Sequence, residues 1–221
     1  MFKSFFRGSQ PHPRHPGWPE LTPVVTLIDG STVQLRPLSI SDGAQWRAKR
    51  LSDQDILQAV EPTVETTWEA AHTLNTWLGT VLALRSSANA GVILPMAIDL
   101  DGSFIGQVTL GNIQHGVVSD CWIGYWVHSA ATGRGVATAA VALGIDHAFH
   151  RVGLHRVTAT YLPENAASGK VLEHCGCRNE GFLRRNIHIN GEWRDHHLVA
   201  ITRDDFAQTA VNRLRDSGRI L

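Results

Sequence analysis

The chain has 221 residues with twenty basic and twenty acidic side chains, a balance without the positive surface that a nucleic-acid binder needs for phosphates. The length suffices to bury a core without disulfide or metal staples. No apolar run approaches the roughly 18 residues that cross a bilayer, and the opening residues lack the apolar stretch and cleavage site of a secretory leader. A cytoplasmic protein with neither membrane nor nucleic-acid partners is therefore expected. Cys121, Cys175 and Cys177 lack the paired spacing of a zinc or redox motif and read as reduced packing thiols. The twelve histidines include no HExxH-type pair, and His196 and His197 would point to opposite faces of a strand, so no metal is expected.

Residues 1–22 read as a flexible arm, since proline, glycine and histidine dominate from residue 8 onward. Phe2, Phe5 and Phe6 within it offer an apolar surface to a partner or a second copy, which leaves a homodimer open. The folded domain is expected over residues 23–221. It begins with "VVTLIDGSTVQLRPL", two strands joined by Asp29-Gly30. Ser41 and Asp42 are placed to cap a helix through about Leu51. A second helix is expected from Thr66, which stands three residues before Glu69 as in a capping box, to about Arg85. Trp68, Ala71, Leu74, Leu78, Val81 and Leu82 would form its buried face.

"VILPMAIDLDGSFIGQVTLGNI" and "VVSDCWIGYWV" then supply three strands of an antiparallel meander. A glycine loop, "TGRGVAT", leads into a helix to about His150. The strand "HRVTATYL" follows, then the helix "NAASGKVLEHC" with Gly176 as its stop. "RNEGFLRRNIHI" and "EWRDHHLVAITR" form a hairpin through Asn190-Gly191, and a helical tail starts near Asp204. The fold class is a mixed α/β (α+β) sheet, mostly antiparallel, with helices on both faces.

The glycine loop carries the first functional signal. A helix N-terminus presents free N–H groups and the positive end of the macrodipole, and so suits an anion. Gly133 and Gly135 would let a diphosphate approach the amides, with Arg134 adding a cation. The spacing fits neither a Walker A loop, which needs GxxxxGK followed by Ser or Thr, nor a dinucleotide GxGxxG, whose third glycine is replaced by Thr138.

"IGYWVHSAATGRGVATAAVALGIDHAF", followed by "LHRVTATYLPENAASGKVLEHCGCRNEGFLRR" and then "NGEWRDH", resembles the GNAT N-acetyltransferases. Within them it is most similar to the RimJ/RimL type, which acetylates the N-termini of ribosomal proteins. The resemblance covers roughly residues 24–205. It implies a GNAT fold, with the sheet splayed where acetyl-CoA enters, and acetyl-CoA as cosubstrate. Its pyrophosphate would lie on the amides of Gly133, Arg134, Gly135, Val136, Ala137 and Thr138. Two positions depart from the family pattern: Thr132 replaces the usual Gln or Arg, and Gly176-Cys177 replaces Gly-Phe.

The same resemblance gives Asn165 a hydrogen bond to the pantetheine and makes Ser168 the proton donor to the departing sulfur. Read as residues alone, Asn165 is equally an N-cap with Ser168 in the first turn. Many GNAT enzymes use a tyrosine as donor, but Tyr125 and Tyr161 both lie outside the "NAASGKVLEHC" helix. A backbone N–H near Val127 or His128 would polarise the thioester carbonyl. The glutamate base of some relatives is missing, with Ile187 near its place, which leaves His188, Glu192, Asp195 or a water relay. The resemblance puts Arg184, Arg185 and Trp193, with the loop between the first two helices, where the acceptor cleft would open; read as residues alone they are equally a solvated strand face with one packed tryptophan. The expected acceptor is a protein N-terminal α-amine. A small amine such as an amino acid, polyamine or antibiotic is the alternative, and a non-catalytic acyl-CoA-binding regulatory domain is the rival from another class.

Overall fold

The computed structural model describes residues 15–221. Eight strands form one sheet in the order β1-β2-β3-β4-β5-β6-β8-β7. The strands are β1 (Val25–Thr26), β2 (Thr32–Pro37), β3 (Ile93–Leu100), β4 (Ser103–Gln114), β5 (Asp120–Val127), β6 (Arg156–Tyr161), β7 (Arg178–Ile189) and β8 (Glu192–Thr202). Every neighbouring pair is antiparallel except β5 and β6. Asp101-Gly102 and Asn190-Gly191 turn their hairpins with positive φ at both positions, the geometry that matches strand twist and that Asx-Gly pairs adopt at least cost.

Helices cover both faces. On one side α1 (Gly43–Ser52) and α4 (Leu74–Asn89) pack on β4 and β3, and Trp46, Trp77, Val81, Ala97 and Phe104 form a small core there. The short α2 (Gln54–Gln58) and α3 (Trp68–Ala71) lie between them in sequence. On the other side α5 (Val136–His147) packs on β2, β4 and β5, and its alanine-rich sequence buries Val136, Ala139, Ala140, Val141 and Ala142 in the main core. Beside α5 lie α6 (Ala166–His174) and α7 (Ala210–Asp216). The α7 N-terminus is capped by Asp146 of α5, whose carboxylate accepts from the Ala210 and Val211 N–H groups.

Several local expectations are corrected. Ser39, not Ser41 or Asp42, caps the turn before α1; Asp42 instead completes the capping box and accepts a forked ion pair from Arg36. The helix expected over residues 66–85 is two helices, because Thr67 caps α3 and Thr73 caps a new start at α4. That break resets the helical phase. Leu74, Leu78 and Leu82 are 55%, 41% and 52% exposed, while Trp77, Val81 and Ala88 are buried. The helix expected to reach His150 is α-helical only to His147 and then widens into a π-turn over Ala148–Val152. The tail makes a single 3-10 turn at Arg203–Asp205, and α7 begins later, behind Thr209.

The arm expected through residue 22 is packed over 15–22. Trp18 is buried and donates its indole N–H to Asn89 at 3.0 Å, and the Thr22 hydroxyl accepts from the Leu35 N–H. His147, also buried, donates its Nε2–H to the Gly17 carbonyl at 2.8 Å. Phe2, Phe5 and Phe6 lie outside the described residues. No described helix is long and apolar enough to cross a membrane.

Two measurements check this packing. Trp77→Ala should lower unfolding free energy by about 3–5 kcal/mol, whereas Leu78→Ala should change it by under about 0.5 kcal/mol; similar values in denaturant titrations would refute the corrected helix face. Burial holds the His147 ring below its usual pKa of 6.5. As pH falls below that value, the unfolded chain takes up a proton that the folded ring resists, so stability is lost on acidification. Thermal melts from about pH 7.5 to about pH 5.5 should show this slope, and His147→Gln should flatten it.

Candidate active site

The two parallel strands part company early. Asp120, Cys121 and Trp122 of β5 face Arg156, Val157 and Thr158 of β6, and the pairing ends there. Beyond Trp122, β5 follows β4 as far as the Gly106–Val127 pair, while β6 follows β8 to the Tyr161–His197 pair. The direction of the freed N–H groups follows from antiparallel register. His128 donates its N–H to the Ile105 carbonyl at 2.9 Å, so Val127 and Tyr125, one and three residues back, turn theirs away from β4 and into the gap. Of the two donors expected for a thioester carbonyl, Val127 is available and His128 is not. The His128 ring does not line the cavity either; it stands 3.1 Å from the Ser52 hydroxyl and 3.7 Å from Asp53.

A cavity of about 1020 Å³ occupies the parting. Val127, Gly133, Arg134, Gly135, Val136, Ala137, Thr138, Asn165 and Ser168 all line it. Gly133 and Gly135 have φ of 77° and 86°, the left-handed region in which side chains are strained, and a Cβ on either would meet open space. The first bond of α5 runs from the Ala139 N–H to the Gly135 carbonyl. The N–H groups of Val136, Ala137 and Thr138 therefore precede any intrahelical acceptor and face an open approach. Arg134 does not point free into this space: its guanidinium donates to the Asp29 carboxylate at 2.8 Å and to the Ser31 hydroxyl. The loop itself is anchored by buried Asp53, which accepts from both the N–H and the hydroxyl of Ser129 at 2.7 Å.

Ser168 has a neighbour that the sequence reading set aside. The Tyr125 hydroxyl lies 2.9 Å from Ser168 Oγ and donates at 3.2 Å to the Ser168 carbonyl. Burial drives the Tyr125 pKa upward, so the phenol stays protonated. The bond crosses the gap, since Tyr125 belongs to β5 and Ser168 to the α6 side. Asn165 caps α6 with Oδ1, which accepts from the Ser168 N–H at 3.1 Å, leaving its amide NH2 for other partners. The Cys121 and Cys177 thiols are raised to about 12 and Cys175 well above its usual value, each chiefly by burial, so none is a thiolate near neutral pH.

At its far end the cavity is lined by Ile56, Leu57, Val60 and Glu61 of α2 and the loop after it. That loop is stitched to the β7–β8 hairpin: the Thr63 N–H donates to the His188 carbonyl, and the Gly191 N–H donates to the Thr63 hydroxyl. Arg50 lies over the faces of Trp68 and Trp126 and holds the Glu61 carboxylate with both terminal nitrogens. None of His188, Glu192 and Asp195 lines the cavity. The His188 ring meets the Thr63 hydroxyl at 3.0 Å, Asp195 accepts from the Arg185 N–H, and Glu192 belongs to a separate hollow of about 410 Å³. Arg185 and Trp193 line that second hollow, and Arg184 lines neither. Among the described residues the carboxylates that line the cavity are Asp29, which is held by Arg134, and Glu61. Sequence spacing gave no sign of it, because the pairing with Arg50 depends on how α1 and α2 fold back. Among the described residues no cluster of three His, Cys, Asp or Glu is arranged for a metal.

A sheet parted beside a glycine-led helix, with a hydroxyl pair spanning the gap, sets an anion-binding helix end beside groups able to move a proton. Residues 32–178 match the family model described as an acetyltransferase (GNAT) domain, and the chain belongs to that family of N-acetyltransferases. It is 31% identical over 185 residues to a probable N-acetyltransferase, YjcK, of Bacillus subtilis, covering 82% of this chain and 100% of that protein. The fold superposes with a TM-score of 0.91 on Mycobacterium smegmatis RimJ in complex with CoA-disulfide, at 46% identity over 93% of this chain and 98% of the other. A ribosomal-protein-S5-alanine acetyltransferase from Vibrio fischeri gives a TM-score of 0.72 at 28% identity, over 80% of this chain and 96% of the other.

Asp53→Ala leaves two part-buried Ser129 donors without their acceptor. The variant should lose about 2–3 kcal/mol in denaturant unfolding, and Ser129→Ala, which removes one hydroxyl, should lose less. Equal and negligible losses would show that Asp53 does not hold the loop.

Proposed function

We propose that the protein transfers an acetyl group from acetyl-CoA to the N-terminal α-amine of a protein, with a ribosomal protein as the substrate class. The observation that carries this reading is the single cavity running from the free amides of α5 to the Tyr125–Ser168 pair. Its volume is at the upper end for small-molecule sites, about 300–1,000 Å³. The structural relatives named above support both halves, one as a CoA complex and one as an acetyltransferase of a ribosomal-protein alanine.

Each residue then has a task. The amides from Gly133 to Thr138 receive the diphosphate, and the Asn165 NH2 group meets the pantetheine. The Val127 N–H points at the thioester carbonyl and stabilises the oxyanion as the amine attacks. Ser168 donates its proton to the departing sulfur, and the Tyr125 hydroxyl, which donates to the Ser168 carbonyl and lies 2.9 Å from Ser168 Oγ, holds that turn of α6 in place for it. No covalent enzyme intermediate is required, because holding both substrates in one cavity supplies much of the rate.

The acceptor end favours an α-amine. Glu61, paired with Arg50, keeps acceptor capacity for an ammonium group. An α-amine of pKa about 8 is roughly a tenth neutral at pH 7, whereas a lysine near 10.4 is under a thousandth neutral. Water suffices to remove a proton from the former.

Acetyl-CoA turnover followed by thiol release, across N-terminal peptides and small amines, tests the reading. Peptides with a free α-amine should be preferred; turnover of small amines alone would reassign the acceptor, and cofactor binding without any thiol release would make this a binding domain. Ser168→Ala should reduce kcat by about 10²-fold with acetyl-CoA affinity nearly unchanged. Tyr125→Phe should reduce kcat less. Gly135→Val, strained at φ 86° and projecting into the approach, should weaken cofactor binding.

A further inference from the structure

We infer that Arg219 reads the ribose 3′-phosphate of the cosubstrate, which makes the segment after α7 a determinant of CoA specificity. This assignment rests on the acetyl-CoA reading above. Acetyl-CoA carries negative charge at two separate places, the diphosphate and the 3′-phosphate. The amides before α5 can serve only one of them.

The cations available at this end of the cavity are few. Arg134, Lys170 and Arg219 line it. The Arg134 guanidinium is taken by Asp29 and Ser31. Asp29 in turn is held ionised, with its pKa drawn down to about 2 by the Ser31 hydroxyl and N–H and by Arg134. Together the two contribute no net charge to the rim. Lys170 stands on α6, the helix that carries Ser168 and is capped by Asn165. Arg219 has no ion-pair partner among the described residues.

The backbone fixes where Arg219 stands. Ile220 is buried and bridges antiparallel to Leu27, and the Leu221 N–H donates to the Thr26 carbonyl at 2.9 Å. The Arg219 N–H donates to the Leu214 carbonyl at 2.9 Å. The segment is thereby laid along β1 with Ile220 turned into the core, and Arg219 lines the cavity instead. Leu27 is two residues from Asp29, whose carboxylate holds the glycine loop's Arg134. Arg219 and the diphosphate amides therefore share one end of the cavity, which is where the nucleotide end of the cosubstrate would emerge. An exposed guanidinium on an anchored backbone suits a terminal phosphate, because it forks onto two oxygens and gives up no existing partner.

The test compares CoA with 3′-dephospho-CoA by calorimetry on the whole protein. The wild type should bind CoA about tenfold more tightly, with the ratio shrinking as salt rises from about 50 mM to about 500 mM. Arg219→Ala should bring the ratio near one while dephospho-CoA affinity stays within about twofold. Arg219→Lys should keep part of the preference. The assignment is overturned if Arg219→Ala leaves the ratio intact, if it weakens both ligands equally, or if Lys170→Ala abolishes the preference instead. Failure of the wild type to bind either nucleotide would remove the acetyl-CoA reading itself, and this assignment with it.

Discussion

Everything in the site depends on β5 and β6 pairing over three residues and then separating. Had the ladder continued, the N–H groups of Tyr125 and Val127 would be consumed by a neighbouring strand, and no cavity would lie between the halves of the sheet. Each strand stays paired on its other edge, β5 with β4 and β6 with β8, so the cost of the parting falls on a few backbone groups only. Those groups are left facing a space that a ligand can fill. The helix that follows β5 starts beside the same space, because two left-handed glycines turn the chain back over the gap.

The sequence announced what is local. Asp101-Gly102 and Asn190-Gly191 marked their hairpins because only a few residue pairs take positive φ twice. The glycine loop and the Asn165 cap were legible for the same reason: their partners lie within four residues. What escaped was decided by distant partners or by competing signals of similar strength. The Tyr125–Ser168 pair joins residues 43 apart, and Arg134 finds Asp29 across 105. Neither spacing nor periodicity contains either contact. On α4 the leucine repeat pointed to the wrong face because Thr73 offered a better cap than continuation through His72, and the new start shifted the phase. Of the expected face Trp68 and Val81 are buried, and the three leucines are not.

His128 and Arg134 carry a shared lesson about candidates taken from motifs. Both occupy the positions the resemblance indicated, yet the fold commits the His128 N–H to Ile105 and the Arg134 side chain to Asp29. Position along the chain and availability are separate properties. Val127 and Ser168 line the cavity, and its Glu61 carboxylate comes from a loop that no motif marked.

The parted strands also have a mechanical consequence. The gap is a wedge pinned at Trp122 and Thr158 and open toward Val127 and Tyr161. A rotation too small to break the pinned pairs grows with distance from the pin, so the mouth is the compliant dimension of the molecule and the seam the stiff one. The Tyr125–Ser168 hydrogen bond spans the wedge partway along β5 and ties its two sides together there. Any occupant thicker than the present gap must lengthen that tie before it can disturb the sheet.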